Sequence, residues 1–395
     1  MTDLSGKIDI DLHRDRDRLA VSIRSSRPVT AARVFAGRPL LEVARRLPML
    51  FSICATAQAQ ACAGACEQAL GLTASASTRE RRTLLLRAET VKEHLWRLLL
   101  DWPTAMGETP AHEPMARAMR AYLELRRTLT TDADPFVPGA DTARLRQGVA
   151  AHQTKMQIQA LGGVIRDRIF GMPPRRWLEQ IVDRDALLAW SSSADTVAAD
   201  LLRQLLRADL AGFGRNAVES LTVSAAPELA ATLAGSEADA FLAAPTWQGC
   251  PRETTPFARC CDRPLIADLA GEHGNGLLPR LAALLLELAD AMVALVGETP
   301  SDPQPDLVTQ EQVGIGVANA ARGLLIHRVE LADGRVTSYR ILAPTEWHFH
   351  PNGVVAAGLS GSGLHRMADQ TELKRRAALY VTAVDPCVAY AISVS

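Results

Sequence analysis

From residue 7 to residue 23 apolar and polar positions alternate. Ile8, Ile10 and Leu12 share one face, Val21 and Ile23 share another, and Arg14-Asp15-Arg16-Asp17-Arg18 lies between them. A two-residue period predicts a hairpin or a pair of strands. From about Leu41 the pattern becomes helical and rich in alanine. Over 78–102 the residues Leu84, Leu85, Ala88, Val91, Leu95, Leu98 and Leu99 form one apolar stripe, which predicts a helix that Pro103 should stop. Further helices are expected at 112–131, 142–162, 195–212 and 264–297. Loops are expected at 132–140, 171–174, 244–256 and 298–306, where proline and glycine collect. The last quarter turns to strands: 323–331 and 335–342 flank Ala332-Asp333-Gly334, a hairpin turn. The pattern predicts an α+β, mainly helical chain with small β-sheets near both ends. It divides into an N-terminal β-hairpin region (6–38), a helical core (39–297) and a C-terminal hairpin with its tail (307–395). All belong to one domain, 1–395, because the strands after the Pro-rich segment are too few to fold alone.

Composition narrows the function. A chain of 395 residues with 48% hydrophobic content can bury a large core. Its 43 Lys and Arg against 44 Asp and Glu argue against nucleic acid or an anionic membrane as the main partner. The most apolar run, 281–296, carries Glu287 and Asp290 and reads as a core helix, not a membrane span. No basic segment followed by an apolar run opens the chain, so no signal peptide is expected. The seven cysteines are an odd number. The expectation is a reduced, cytoplasmic protein whose cysteines are thiols or metal ligands. Gly314-x-Gly316 lacks both a preceding strand and the full GxGxxG, and is not a nucleotide site.

The candidate chemistry sits at the end of the chain. The tail reads Asp385-Pro386-Cys387-Val388-Ala389-Tyr390-Ala391-Ile392-Ser393-Val394-Ser395. Five earlier stretches accompany it in order. They are Phe35-Ala36-Gly37-Arg38-Pro39-Leu40 with Ser52-Ile53-Cys54-Ala55-Thr56-Ala57, the predicted helix 78–103, Glu253-Thr254-Thr255-Pro256-Phe257-Ala258-Arg259, Asn319-Ala320-Ala321-Arg322-Gly323-Leu324-Leu325-Ile326-His327, and Ala343-Pro344-Thr345-Glu346-Trp347-His348-Phe349-His350-Pro351. Together they resemble the large subunit of nickel-iron hydrogenases, whose C-terminus reads Asp-Pro-Cys-x-x-Cys-x-x-His. Here Tyr390 stands for the second Cys and Ser393 for the His. At the first motif Cys54 matches the first Cys, Ala57 stands for the second, Ala55 for the Gly and Ser52 for the Arg. The stretches 345–347 and 93–103 are similar to a branch of large-subunit-like accessory proteins, the HupK/HoxV type.

The resemblance implies the large-subunit fold without a complete nickel-iron site. It implies a non-enzymatic maturation scaffold that holds or assembles iron with cyanide and carbonyl ligands and passes it on. Hydrogenase cofactor-assembly chaperones and the precursor large subunit would be its partners. Cys54 and Cys387 would be the metal ligands, since thiolates suit borderline metals such as ferrous iron. Arg322 would face the diatomic ligands, its guanidinium donating to cyanide nitrogen. In the family the first Cys of each pair is a terminal nickel ligand, which would put both retained cysteines on the nickel side. Iron is nevertheless the expectation, because a thiolate with free space around it can reach a nearby iron unit. Only Val394 and Ser395 follow Ser393, so no cleavable extension is expected. The alternative implied by the same losses is a metal-free degenerate large subunit acting as an interaction protein.

Each candidate has a plainer role. Cys54 and Cys387 could be small buried residues. Arg322 could form a salt bridge to a buried carboxylate such as Asp385. Cys62 and Cys66, at i and i+4 on a helix, could pack among alanines, add thiolates to the site, or with Cys54 serve a thiol redox enzyme. Cys260-Cys261 could be redox-active or structural. His348 and His350, alternating on what reads as extended chain, could assist metal transfer or be ordinary core or surface histidines.

Overall fold

The computed structural model describes residues 6–15, 18–50, 53–143, 148–297 and 310–395. The alternation at the N-terminus yields β1 (Ile8–Arg14) and β2 (Leu19–Ser25), antiparallel, with Ile10 opposite Ile23. Ile8, Ile10 and Leu12 are fully buried, as a strand with one covered face requires. The expected hairpin is one strand short of the sheet. Tyr390–Val394, in the tail, pairs parallel with β1, and the sheet order is β2, β1, tail. The two ends of the chain therefore meet.

The second sheet is formed by β3 (Val313–Ala320), β4 (Gly323–Ala332) and β5 (Arg335–Leu342), in that order and antiparallel; the tail strand is accordingly β6. The expected turn is present, with Asp333 and Gly334 both at positive φ (51° and 70°). β3 was not expected. It contains Gly314 and Gly316, whose missing side chains let the Ala55–Leu70 helix lie directly on the strand.

The long helix runs Ala76–Trp96, capped by Ser75, whose hydroxyl accepts from Thr78 N. Pro103 does not stop it. A π-helical turn, Arg97–Asp101, widens the helix, and Trp102–Met106 continues to Gly107 at φ 84°. Proline is tolerated there because it occupies the first turn of the new segment, where an N–H has no intrahelical partner. The expected helix at 264–297 is two, Pro264–His273 and Leu277–Leu295, broken at Gly274-Asn275-Gly276. Gly274 has φ 60°, and a Cβ on Gly276 would lie 2.7 Å from Ala211 O, so the break is built into backbone packing. Helices at His112–Thr130 and Val197–Arg207 match expectation, while the one expected from 142 begins only at Val149, after Gly148. Pro174–Gln180, Arg184–Ser193, Ala226–Thr232 and Ala238–Ala243 are short helices that were not expected. The expected loop at 298–306 lies outside the described residues. Among those described, no helix is long and apolar enough to cross a membrane.

Candidate metal site

Cys54 is the N-cap of the Ala55–Leu70 helix. The next free N–H groups of that helix, on Thr56 and Ala57, donate to the buried Glu89 carboxylate at 2.8 and 2.9 Å. Glu89 comes from the long helix, so the residue that fixes the start of the Cys54 helix belongs to a neighbouring element. Cys387 follows the helix Gln370–Val384, which Asp385 ends in a left-handed conformation (φ 64°). Its N–H donates to Thr345 Oγ1 at 3.4 Å.

These two cysteines, far apart in sequence, are neighbours in the fold, and each thiol shifts the other. The hydrogen bond from Cys54 pushes the Cys387 thiol down to about 6; burial works against this, and the positive charges of Arg322 and Arg27 support it. The same hydrogen bond, burial and the Cys387 charge push the Cys54 thiol well up. The directions are opposed: Cys387 is favoured as the thiolate and Cys54 as the thiol. Alkylation of metal-free protein should reflect this. Cys387 should react half-maximally near pH 6, slowing as pH falls through that value because only the thiolate attacks. In Cys54→Ala the midpoint should rise toward the ordinary thiol range; mass-resolved labelling across pH 5–9 checks both, with the free thiol near about 8.5 as reference. An unchanged midpoint in the variant would mean that Cys54 does not shift the Cys387 thiol.

Arg322 lies in the turn between β3 and β4 and is 2% exposed. Its Nε donates to Asp385 Oδ1 at 3.0 Å and its Nη2 pairs with Glu93 Oε2 at 2.9 Å. The expected salt bridge to Asp385 is therefore present, and Asp385 is shared with Arg97 at 2.5 Å. Yet Arg322 Nη1 is buried and has no partner. An unsatisfied buried guanidinium N–H costs free energy, and an anionic acceptor such as a cyanide nitrogen would satisfy it. Two thiols and this donor fit an iron unit that brings most of its own ligands. No group of three or more His, Cys, Asp or Glu arranged to hold a metal ion is found among the described residues. A cleft of about 550 Å³ opens beside the pair, lined by Ile53, Pro386 and Val388 next to the two cysteines, and by Arg97, Asp101 and Tyr390.

The other candidates are elsewhere. Cys62 and Cys66 are buried, 3.8 Å apart, in the contact between their helix and the second sheet. A chain of contacts connects that contact to the site: Tyr339 Oη to His327 Nδ1 (2.9 Å), His327 Nε2 to Gln58 Oε1 (2.9 Å), and Gln58 Nε2 to Cys54 Sγ (4.0 Å). Cys260 is a core residue whose thiol burial pushes up to about 12, and burial also raises Cys261. His348 and His350 do not alternate on extended chain. His348 ends the short helix Pro344–His348, and both side chains are buried. Thr254 N donates to His348 Nε2 at 3.1 Å, and burial pushes this imidazole down to about 3, so it stays neutral. His350 Nδ1 accepts from Asn352 N at 3.0 Å. His348 thus ties its helix to the Thr254 segment, while the His350 contact is local. Tyr390 and Ser393 are in β6, where Ser393 Oγ donates to Asp11 and Tyr390 is opposite Ile8. Residues not singled out from sequence also reach the site: Glu93, Thr345, Gln58 and Arg27. Thr345 and Glu93 were within recognised stretches, but nothing in the sequence marked Arg27.

A family model described as nickel-dependent hydrogenase matches residues 279–393. The hydrogenase expression/formation protein HoxV of Cupriavidus necator is 32% identical, over 94% of this chain and 92% of its own length. The hydrogenase expression/formation protein HupK of Azotobacter vinelandii is 28% identical over 99% of both chains. Among solved structures, the Ni-Fe-Se hydrogenase of Desulfomicrobium baculatum superposes with a TM-score of 0.63 at 14% identity, covering 95% of both chains. That of Desulfovibrio vulgaris Hildenborough gives 0.58 at 16%, over 94% of this chain and 95% of that one. The chain thus has the hydrogenase large-subunit fold, and it belongs to the HupK/HoxV family of hydrogenase expression/formation proteins.

Proposed function

We propose that this protein is a non-enzymatic scaffold that holds iron with cyanide and carbonyl ligands as cargo, on Cys54 and Cys387, during formation of a nickel-iron hydrogenase. The observation that carries this reading is the thiol pair itself: Cys54 at the start of its helix and Cys387 in the tail, brought together beside a buried arginine N–H without a partner. Binding of the iron unit through both sulfurs releases the remaining thiol proton to solvent and makes both sulfurs thiolates, the donor type that borderline metals favour. With two protein donors the remaining iron positions belong to the diatomic ligands. The cargo arrives from cofactor-assembly chaperones and leaves to the precursor large subunit, in the reducing cytoplasm where free thiols persist.

The absence of a three-ligand cluster among the described residues favours one other reading, a metal-free interaction protein. Infrared spectra of protein purified without oxygen from cells that make the cofactor separate the two. Cyanide and carbonyl stretching bands, with iron in the metal analysis, are expected in the wild type and should be lost in Cys54→Ser and in Cys387→Ser. A blank spectrum from folded protein supports the metal-free reading, and nickel without iron overturns the iron assignment.

A further inference from the structure

Arg322 has a counterpart. Arg27 lies just beyond β2, and its Nε donates to Glu346 Oε1 at 2.7 Å; the two side chains are 13% and 7% exposed. Among the described residues, neither terminal nitrogen of Arg27 has a hydrogen-bond partner. Glu346 neighbours Thr345, the residue whose hydroxyl receives the N–H of Cys387. The backbone of Arg27 is held as well: a Cβ on Gly6 (φ 69°) would fall 2.7 Å from Arg27 Cα, so only glycine permits this packing. Its anchor on Glu346, next to the Thr345 that receives the Cys387 N–H, puts the guanidinium on the Cys387 side of the pair, where its charge favours the Cys387 thiolate. Each guanidinium is thus anchored through Nε on a carboxylate and keeps at least one terminal N–H free.

Building on the scaffold reading, we propose that Arg27 is the second donor of the cargo pocket, binding one cyanide of the iron unit while Arg322 binds the other. Charge supports this. Ferrous iron with two cyanides is itself neutral; with both cysteines as thiolates the loaded site carries two minus. Among the side chains paired around the two cysteines, Arg27, Arg322, Arg97 and Lys92 face Glu346, Glu93, Asp385 and Asp101, and Glu89 adds a further carboxylate at the start of the Cys54 helix. The cargo therefore enters a region with no surplus positive charge, and directed N–H donors must supply the recognition. Arginine suits this role because its fork can bind a carboxylate with one edge and an anion with another.

The test is infrared spectroscopy and iron content of Arg27→Met and Arg27→Lys beside the wild type, all prepared without oxygen and matched for fold by circular dichroism. Arg27→Met should lose roughly tenfold or more of the cyanide band intensity per protein, about the effect of one charge-assisted hydrogen bond. Arg27→Lys, which keeps the charge, should retain cargo with the cyanide bands shifted and the carbonyl band less so. Cyanide bands of wild-type position and intensity in folded Arg27→Met overturn the assignment while leaving the scaffold reading intact. A wild type without bands overturns both.

Discussion

Gly316→Ala is expected to destabilise the protein by about 3 kcal/mol, more than most insertions of a methyl group into a core. A Cβ at this position would lie 1.8 Å from Ala61 O and 2.6 Å from Ala65 N, both backbone atoms of the Ala55–Leu70 helix. No side chain can rotate out of the way. The helix must lift off β3, or the strand must leave its pairing with β4. Gly314 makes the same approach one pleat along, 1.8 Å from Ala65 O, so the two glycines form a flat track on which the alanine-rich helix rests. The consequence reaches the site, because Cys54 caps this helix and a lifted helix draws it from Cys387. Two readouts should therefore move together: the denaturation midpoint falls, and the alkylation midpoint of Cys387 rises. Gly64→Ala is the contrasting substitution. Its Cβ would meet Gly316 Cα at 3.5 Å, an ordinary contact, and alanine gains up to about 1 kcal/mol of helix propensity over glycine. If Gly316→Ala were as well tolerated as Gly64→Ala, the helix would not rest on the strand as described.

That packing was partly legible. Glycines at alternate positions of a strand mark a close backbone approach, but without a recognised strand the pair reads only as a failed nucleotide loop. What was legible elsewhere rests on local physics: the two-residue period of Ile8, Ile10 and Leu12, the Asp333-Gly334 turn, and the stripe from Leu84 to Leu99. Pro103 misleads because a π turn rewrites the helix before it, and Gly274-Asn275-Gly276 is a break only where Ala211 packs against it. β6 was hidden behind its own motif. Tyr390, Ile392 and Val394 alternate with smaller residues, but positions read as vacated ligand places were not read as a strand.

The site divides in the same way. Cys54, Cys387 and Arg322 were recognisable only by resemblance, since no spacing rule joins residues at opposite ends of a chain. Their contact depends on long-range packing, as do the Asp385 and Glu93 partners of Arg322. Arg27 carries no sequence signal, because a lone arginine after a strand is ordinarily a solvated side chain. Its ion pair with Glu346 emerges only when the segment after β2 is placed beside the Pro344–His348 helix. His348 differs in another way: the alternating pair reads as extended chain, but His348 ends a short helix, and burial makes it a neutral acceptor for Thr254, the ordinary core role.

Arg280→Met should cost about 3–5 kcal/mol, the penalty for stranding a buried charge. Arg280 and Glu253 are 3% and 0% exposed and pair through both oxygens, with Nη2 to Oε2 at 2.9 Å. Thr255 Oγ1 also donates to Glu253, and Asn275 Nδ2 reaches it at 3.5 Å from the break between two helices. Burial alone would raise the Glu253 carboxyl, but Arg280 and these donors outweigh it and hold it below its usual range. Removing the guanidinium leaves the desolvation and takes away the compensation. The damage should propagate, because Thr254 beside Glu253 binds His348, and the helix ended by His348 presents Thr345 to Cys387. The double variant Arg280→Met with Glu253→Gln should recover most of the loss, since no buried charge is then unpaired. The sign with pH follows from the lowered carboxyl. Its contribution is complete above the unfolded value near 4.5 and disappears as pH falls below it. Denaturant unfolding at pH 7 and pH 4 should show wild type losing stability on acidification by an increment the double variant lacks. A single Arg280→Met as stable as the double variant would mean that Glu253 is not held as an ion, and that the loop beneath Cys387 is fixed by packing alone.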